Sequence, residues 1–240
     1  IQTGQHYLLV KFDDSVIEVP FRILTKAKEL IDMSKHSGEH PRFGATDVCP
    51  FVPVAGVTMD DCAELARQLG ERVGRELDYP VYLYEYAAST EERRNLSIVR
   101  HGEYEGLAEK LKDPHWKPDF GPAEFRPRTG VTAIGARTFL IAYNVDINTP
   151  DKKLAHEIAL RIREAGRAKR DENWNIVRDA EGKPVKEPGR LKHVKGIGWF
   201  IDEYGVAQIS MNLTDHHETP VHTVFDVICK EAETLGLRIT

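Results

Sequence analysis

Residues 36–53, HSGEHPRFGATDVCPFVP, place two histidines, a glutamate, an arginine and an aspartate ahead of an apolar, extended run. No packing demand of a buried strand calls for Gly38, Glu39, His40, Pro41 and Arg42 just before it. An imidazole whose pKa lies near neutrality can take and return a proton. A guanidinium can hold a carboxylate through paired hydrogen bonds. The stretch therefore reads either as a polar loop feeding a strand or as an acid/base and anion-binding loop at a strand edge. In the second reading His40 is the candidate proton shuttle and Arg42 the candidate substrate anchor, unless Arg42 is spent on an ion pair with Glu39 or Asp47. His36 suits the negative pole of a helix end, Glu39 could orient an imidazole, and Asp47 could simply mark where the strand starts.

The elements that position this stretch have to fit 240 residues, enough for one large domain or two of about 100 to 120 residues each. The chain is 41% hydrophobic and 30% charged, with no run of the ~18 apolar residues that a membrane helix needs. Its opening residues lack the basic start and apolar core of a signal peptide. A net charge of -5 argues against a general nucleic-acid binder. The three cysteines, Cys49, Cys62 and Cys229, are too scattered for a metal site or a disulfide framework, which points to a reducing cytoplasm. No P-loop, GxGxxG, GxSxG or HExxH motif is present, which disfavours those enzyme classes.

Along the chain, residues 6–12 are aromatic and β-branched and predict a strand. Pro20 places the helix that follows from about its own position, as a first-turn proline. Residues 45–54 read as a strand with edge character from Pro50 and Pro53. Thr58, Asp60 and Asp61 open a helix carrying Cys62, Leu65, Ala66, Leu69 and Val73 at helical spacing. Asp78-Tyr79-Pro80 ends it, and residues 81–84 form a strand. A short helix is expected around residues 106–111. Residues 114–130 hold too many prolines for a regular helix or a central strand and read as an interdomain connection.

In the second half, residues 138–147 predict a strand, and Thr149-Pro150 caps a helix with Leu154, Ile158, Ala159 and Ile162. Residues 195–202 and 206–213 predict a hairpin around Glu203-Tyr204-Gly205. Thr219-Pro220 caps a last helix closed by Gly236, and a strand starts at Leu237. Residues 167–189 predict a charged, protruding hairpin turning at Ala180-Glu181-Gly182. The order is β-α-β-β-α-β, the ferredoxin-like split unit, and the first half looks like the same unit without its beginning. The expectation is an α/β (α+β) protein of two such subdomains, residues 1–130 and 131–240, with helices on one face of each sheet.

Several motifs then resemble one family. They are LIDMSKH at 30–36, GEHPRFGATDVCPFVPV at 38–54, GVTMD at 56–60, PVYLYE at 80–85, GEYEG at 102–106 and PDFGPAEF at 118–125. GARTFLIAYNV at 135–145, GIGWF at 196–200 and QISMNLTD at 208–215 continue the series in order. Together they resemble the formiminotransferase domain of glutamate formimidoyltransferases, which also occurs as the amino-terminal part of a bifunctional cyclodeaminase. Against the family pattern, the first subdomain is expected to lack its opening strand and helix, and the second its closing segment.

The resemblance implies transfer of a formimino group between 5-formimidoyltetrahydrofolate and L-glutamate, in histidine degradation and one-carbon metabolism. Tetrahydrofolate is the co-substrate, with no metal. Alternatives are formyl transfer from 5-formyltetrahydrofolate to glutamate, and a folate-binding module without catalysis. The family's histidine falls on His40. Its folate loop falls on Gly121, Pro122, Ala123, Glu124, Phe125, Arg126, Pro127, Arg128, Thr129 and Gly130, which turns the supposed connector into a ligand wall between subdomains. There Phe125 would stack on a pterin and Arg126 or Arg128 would meet the glutamate tail, with Arg42 as a further contact. Asn144 and Asn212, near strand ends, could reach folate or simply satisfy turns. Asp215, His216 and His217 lack the spacing of a metal site. The implied protein is a cytoplasmic homodimer taking folate and L-glutamate or N-formimidoyl-L-glutamate, without nucleic acid or membrane.

Overall fold

The structure, a computed structural model, describes residues 13, 15–37 and 42–240. It separates into two compact units, one ending at Thr138 and the other running from Phe139 to Thr240. The strand predicted at residues 6–12 lies outside the described residues.

The first unit opens with α1 (Ser15–Leu30), which starts earlier than the proline rule predicts and carries Pro20 inside it. Pro20 removes only one intrahelical bond there. Leu24, Ile17 and Phe21 of α1 pack into a shared core with the next helix. A short 3-10 turn, Met33–Lys35, follows. The strand β1 (Val48–Phe51) is shorter than residues 45–54 because the chain turns first, with Asp47 Oδ1 accepting from the Phe43 amide at 3.0 Å. Helix α2 (Met59–Leu77) begins as its sequence requires, in a reciprocal capping box between Thr58 and Asp61. It ends at Asp78 in the left-handed region and leads into β2 (Val81–Glu85).

Between β2 and the next strand come α3 (Leu96–Val99) and α4 (Leu107–Lys110). Buried Arg93 ties this connection down, pairing with Asp119 at 2.9 Å and donating to the carbonyls of His115 and Lys117. The chain then enters β3 (Thr132–Ala136), a strand the sequence reading missed. It lies between β1 and β2 and is parallel to both. The first unit therefore continues past Gly130 to Thr138.

These parallel pairings differ from the antiparallel ladder of a split βαββαβ unit. Both faces of the sheet are also covered, not one. Val81, Leu83, Ile134 and Ala136 face α1 and α2, while Tyr82, Tyr84 and Ala133 face Val99, Leu107 and Leu111. A parallel sheet reached through crossovers is buried on both sides, so near-continuous burial along β2 follows. Pro50 is tolerated because β1 is an edge strand of the described sheet.

The second unit consists of β4 (Ile141–Ile147), α5 (Lys152–Ile162), β5 (Arg167–Ala168), β6 (Lys186–Glu187), β7 (Val194–Ile201), β8 (Val206–Leu213) and α6 (Val221–Thr234). Its sheet runs β4-β8-β7, antiparallel throughout, and Ile239 makes one bridge to Ile147 where a strand was expected. Asp151, not Thr149, caps α5. Thr219 donates its hydroxyl to the Lys192 carbonyl at 2.7 Å instead of capping α6. Alternation along the strands sends Val145, Ile147, Ile209, Met211 and Leu213 into a core with Ile158, Ile162, Val224 and Ile228 of the helices. Residues 167–187 form the exposed hairpin that their composition predicts, turning at Gly182 with φ 79°.

Candidate functional site

The described residues of the 36–53 and 121–130 stretches belong to the first unit. His40 lies outside the described residues, with Gly38, Glu39 and Pro41, while both flanks of that segment are described. On the leading flank, Asp32 caps the 3-10 turn and the Met33 amide donates to the Arg128 carbonyl at 2.9 Å. On the trailing flank, Gly44 pairs with Gly130, the Ala45 amide donates to the Thr129 carbonyl at 2.8 Å, and the Val131 amide donates to the Phe43 carbonyl at 3.0 Å.

This backbone contact demands glycine. A Cβ on Gly44 would stand 1.8 Å from the Val131 oxygen, and Gly130, at φ 66°, would drive one to 2.1 Å from the Phe43 oxygen. Beneath them the buried Tyr79 hydroxyl donates to the Thr129 carbonyl at 3.0 Å and accepts from the Thr46 amide at 3.3 Å. Burial pushes that phenol above its ordinary range. Thus residues 128–130 tether the His40 segment on both sides, and the two loops that the sequence singled out belong together.

Arg42 is held by a residue the sequence reading did not assign. Its Nη1 and Nη2 reach the two carboxylate oxygens of Glu105 at 3.2 and 2.8 Å, and Nη2 also donates to the His36 carbonyl at 2.9 Å. Glu105 keeps the guanidinium above its usual pKa, and Arg42 holds the Glu105 carboxyl below its own. Asp47 pairs instead with Arg100, so its carboxylate serves the turn and that ion pair. The signal for Glu105 was its place in the GEYEG stretch, which carried the resemblance but no chemistry.

In the second loop, Phe125 packs on Tyr104 with ring centroids 5.5 Å apart, and the Tyr104 hydroxyl donates to the Pro127 carbonyl at 2.6 Å. Arg126 bonds Asp78 at 2.6 Å and lies 3.4 Å from Glu124. Arg128 donates to the Glu29 carbonyl at 2.8 Å. Gly121, at φ 78°, backs onto the Tyr79 carbonyl, 2.4 Å from where its Cβ would be.

Arg126, Pro127, Arg128 and Thr129 line a groove of about 680 Å³ whose other walls are Thr25, Lys28 and Glu29 of α1 and Leu77 and Asp78 at the end of α2. Gly121, Pro122, Ala123, Glu124 and Phe125 are not among its lining residues. Three cations against two carboxylates give it a basic bias suited to an anionic ligand.

Comparison with known proteins covers both units. Residues 5–137 match the formiminotransferase domain, N-terminal subdomain, and residues 142–240 match the formiminotransferase domain. The chain belongs to the formiminotransferase family.

Among its relatives, the formimidoyltransferase-cyclodeaminase of Dictyostelium discoideum is 50% identical over 97% of this chain and 40% of its own length. The Sus scrofa protein of the same name is 47% identical over the same shares. The glutamate formimidoyltransferase of Streptococcus pyogenes serotype M1 is 40% identical over 97% of this chain and 71% of its own. The chain thus spans about two fifths of the length of the bifunctional relatives.

In this formiminotransferase chain, Asn144 lies in the middle of β4, and Asn212 is the last residue but one of β8, near its end as expected. They share the sheet face that carries Asp146, opposite Val145 and Ile147. On that face Trp199 Nε1 donates to Gln208 Oε1 at 2.9 Å, and Gln208 Nε2 donates to Asp146 at 2.6 Å. Asp215 accepts from the His217 and Glu218 amides, while His216 and His217 stack 4.1 Å apart. Among the described residues no cluster of three metal-ligating side chains is found, and no helix is long and apolar enough to cross a membrane.

Proposed function

We propose that this chain transfers a formimino group between 5-formimidoyltetrahydrofolate and L-glutamate, with His40 as general acid and base. The observation that carries this reading is the 40% identity to a glutamate formimidoyltransferase across nearly the whole chain. Supporting it, the segment that bears His40 and the loop of residues 121–130 are fastened together by backbone bonds.

In the direction of glutamate formimidation, the glutamate amine attacks the formimino carbon and forms a tetrahedral intermediate. His40 takes a proton from the attacking nitrogen. The same imidazole returns it to N5 of the folate as the carbon–nitrogen bond breaks, releasing tetrahydrofolate and N-formimidoyl-L-glutamate. The reverse order serves histidine degradation. Basic groups of the groove, Lys28, Arg126 and Arg128, take the carboxylates of the folate glutamate moiety, and Phe125 supplies an apolar face. The resemblance supports a cytoplasmic homodimer without metal, nucleic acid or membrane partners.

A turnover assay with glutamate and each donor tests the reading. Transfer from the 5-formimidoyl donor is expected. Transfer from 5-formyltetrahydrofolate alone would move the assignment to formyl transfer. Folate binding without turnover would make the chain a binding module.

A further inference from the structure

We propose that the cavity beside α3, lined by Ser97, Arg100, His101, Gly102, Glu103 and Glu105, is the subsite for the acceptor amino acid, L-glutamate. The inference rests on the transferase reading above and gives the second substrate a place apart from the basic groove. The cavity measures about 480 Å³, within the range of small-molecule sites.

Charge alternates along its wall. Arg100 pairs with Asp47, and Glu105 grips Arg42 at 3.2 and 2.8 Å. Glu103 acts on both ion pairs, favouring the charged form of each guanidinium. The groups left for a ligand are the Glu103 carboxylate, the His101 imidazole and the Ser97 hydroxyl, which make no hydrogen bond or ion pair among the described residues. An anionic acceptor beside neutral donors and a guanidinium fits a ligand that bears both signs on neighbouring atoms. An α-amino acid is such a ligand. Its ammonium meets Glu103, and its carboxylates meet His101 and Ser97 within the field of Arg100. The folate tail, which is only anionic, would face Glu103 and Glu105 here, whereas Lys28, Arg126 and Arg128 of the groove attract it.

The turn that presents these groups is fixed before any ligand arrives. Gly102 and Glu103 adopt φ 88° and 51°, and the Gly106 amide donates to the Gly102 carbonyl at 2.7 Å. A Cβ on Gly106 would fall 2.6 Å from that oxygen. A left-handed φ on a glutamate is uncommon and persists where surrounding structure enforces it. Lys110 holds one side, its Nζ donating to the Val99 and His101 carbonyls at 2.5 and 3.2 Å. Tyr104 holds the other, its amide donating to the Arg42 carbonyl at 2.8 Å. A preformed wall lowers the ordering cost of binding.

The test titrates L-glutamate, and glutarate, which lacks the amine, into the parent, Glu103→Gln and His101→Ala, each saturated with tetrahydrofolate. No formimino group is then present, so binding is read without turnover. Steady-state KM values for glutamate and for the 5-formimidoyl donor are measured beside it. Both variants are expected to raise Kd and KM for glutamate about 10- to 100-fold, with KM for the donor changed less than about threefold. The parent should prefer glutamate to glutarate about tenfold, and Glu103→Gln should bind the two alike.

Parental glutamate affinity in both variants overturns the subsite, as does a preference over glutarate that survives Glu103→Gln. So does an equal rise in both KM values, which would make the turn merely structural, or a parent that binds no glutamate. A parent that binds glutamate yet never turns over contradicts the transferase reading, and the titrations alone then decide the subsite.

Discussion

Tyr79 shows how much of the site depends on single buried polar atoms. Its hydroxyl joins the Thr129 carbonyl to the Thr46 amide, under the line where the two loops meet. Tyr79→Phe leaves that amide without its partner inside the protein, so the first unit should lose about 1–2 kcal/mol in denaturant unfolding. A loss below about 0.3 kcal/mol would mean the hydroxyl is idle. At this scale residue type alone named His40 and Arg42 as candidates, and the described geometry pairs Arg42 with Glu105. Glu105 was not legible, because its partner lies far away in the chain and no local pattern links them.

Elements were readable where periodicity and capping agree. The Thr58 box, the spacing along α2 and the β7–β8 hairpin all declared themselves. The strand β3 did not, because Thr132, Ala133, Ile134, Gly135 and Ala136 offer no bulky alternation. The small residues answer to close packing. A Cβ on Gly135 would meet the Tyr84 oxygen at 2.4 Å. Pro20 misled in the opposite sense, since packing of α1 on α2 outweighs one missing hydrogen bond.

In the second unit α5 approaches β7 so closely that a Cβ on Gly198 would lie 2.1 Å from the His156 amide nitrogen. Gly198→Ala should therefore cost about 3 kcal/mol in equilibrium unfolding, and a neutral result would show that the helix can move away. His156, on the same contact, has its pKa lowered, first by burial and then by Arg163. The unfolded chain thus takes up the proton before the folded one as pH falls through about 6.5. Stability from this group is present above that pH and is lost below it. Denaturation at pH 7.5 and 5.5 should show a larger acid loss in the parent than in His156→Gln, and equal losses would contradict the shift.

At the scale of the molecule, two units follow each other along the chain and carry different sheets. One sheet is parallel and covered on both sides, and the other is antiparallel with α5 and α6 in its core. The split-unit pattern was read from element order; in the second unit β4, α5, β7, β8 and α6 follow that order, while the last strand is reduced to one bridge at Ile239. It failed to foresee parallel pairing in the first, because the long connection after β2 is irregular and its return strand is cryptic. Both loops of the proposed site belong to the first unit, so that unit should respond to changes at His40 without a change in its fold.

The central claim is that His40 moves the proton between the glutamate nitrogen and N5 of the folate. The direct measurement is kcat for formimino transfer by His40→Ala beside the parent at matched folding, verified by circular dichroism. A fall of about 100-fold or more, with KM for folate and glutamate little changed, is the predicted result. Transfer at the parental rate would contradict it.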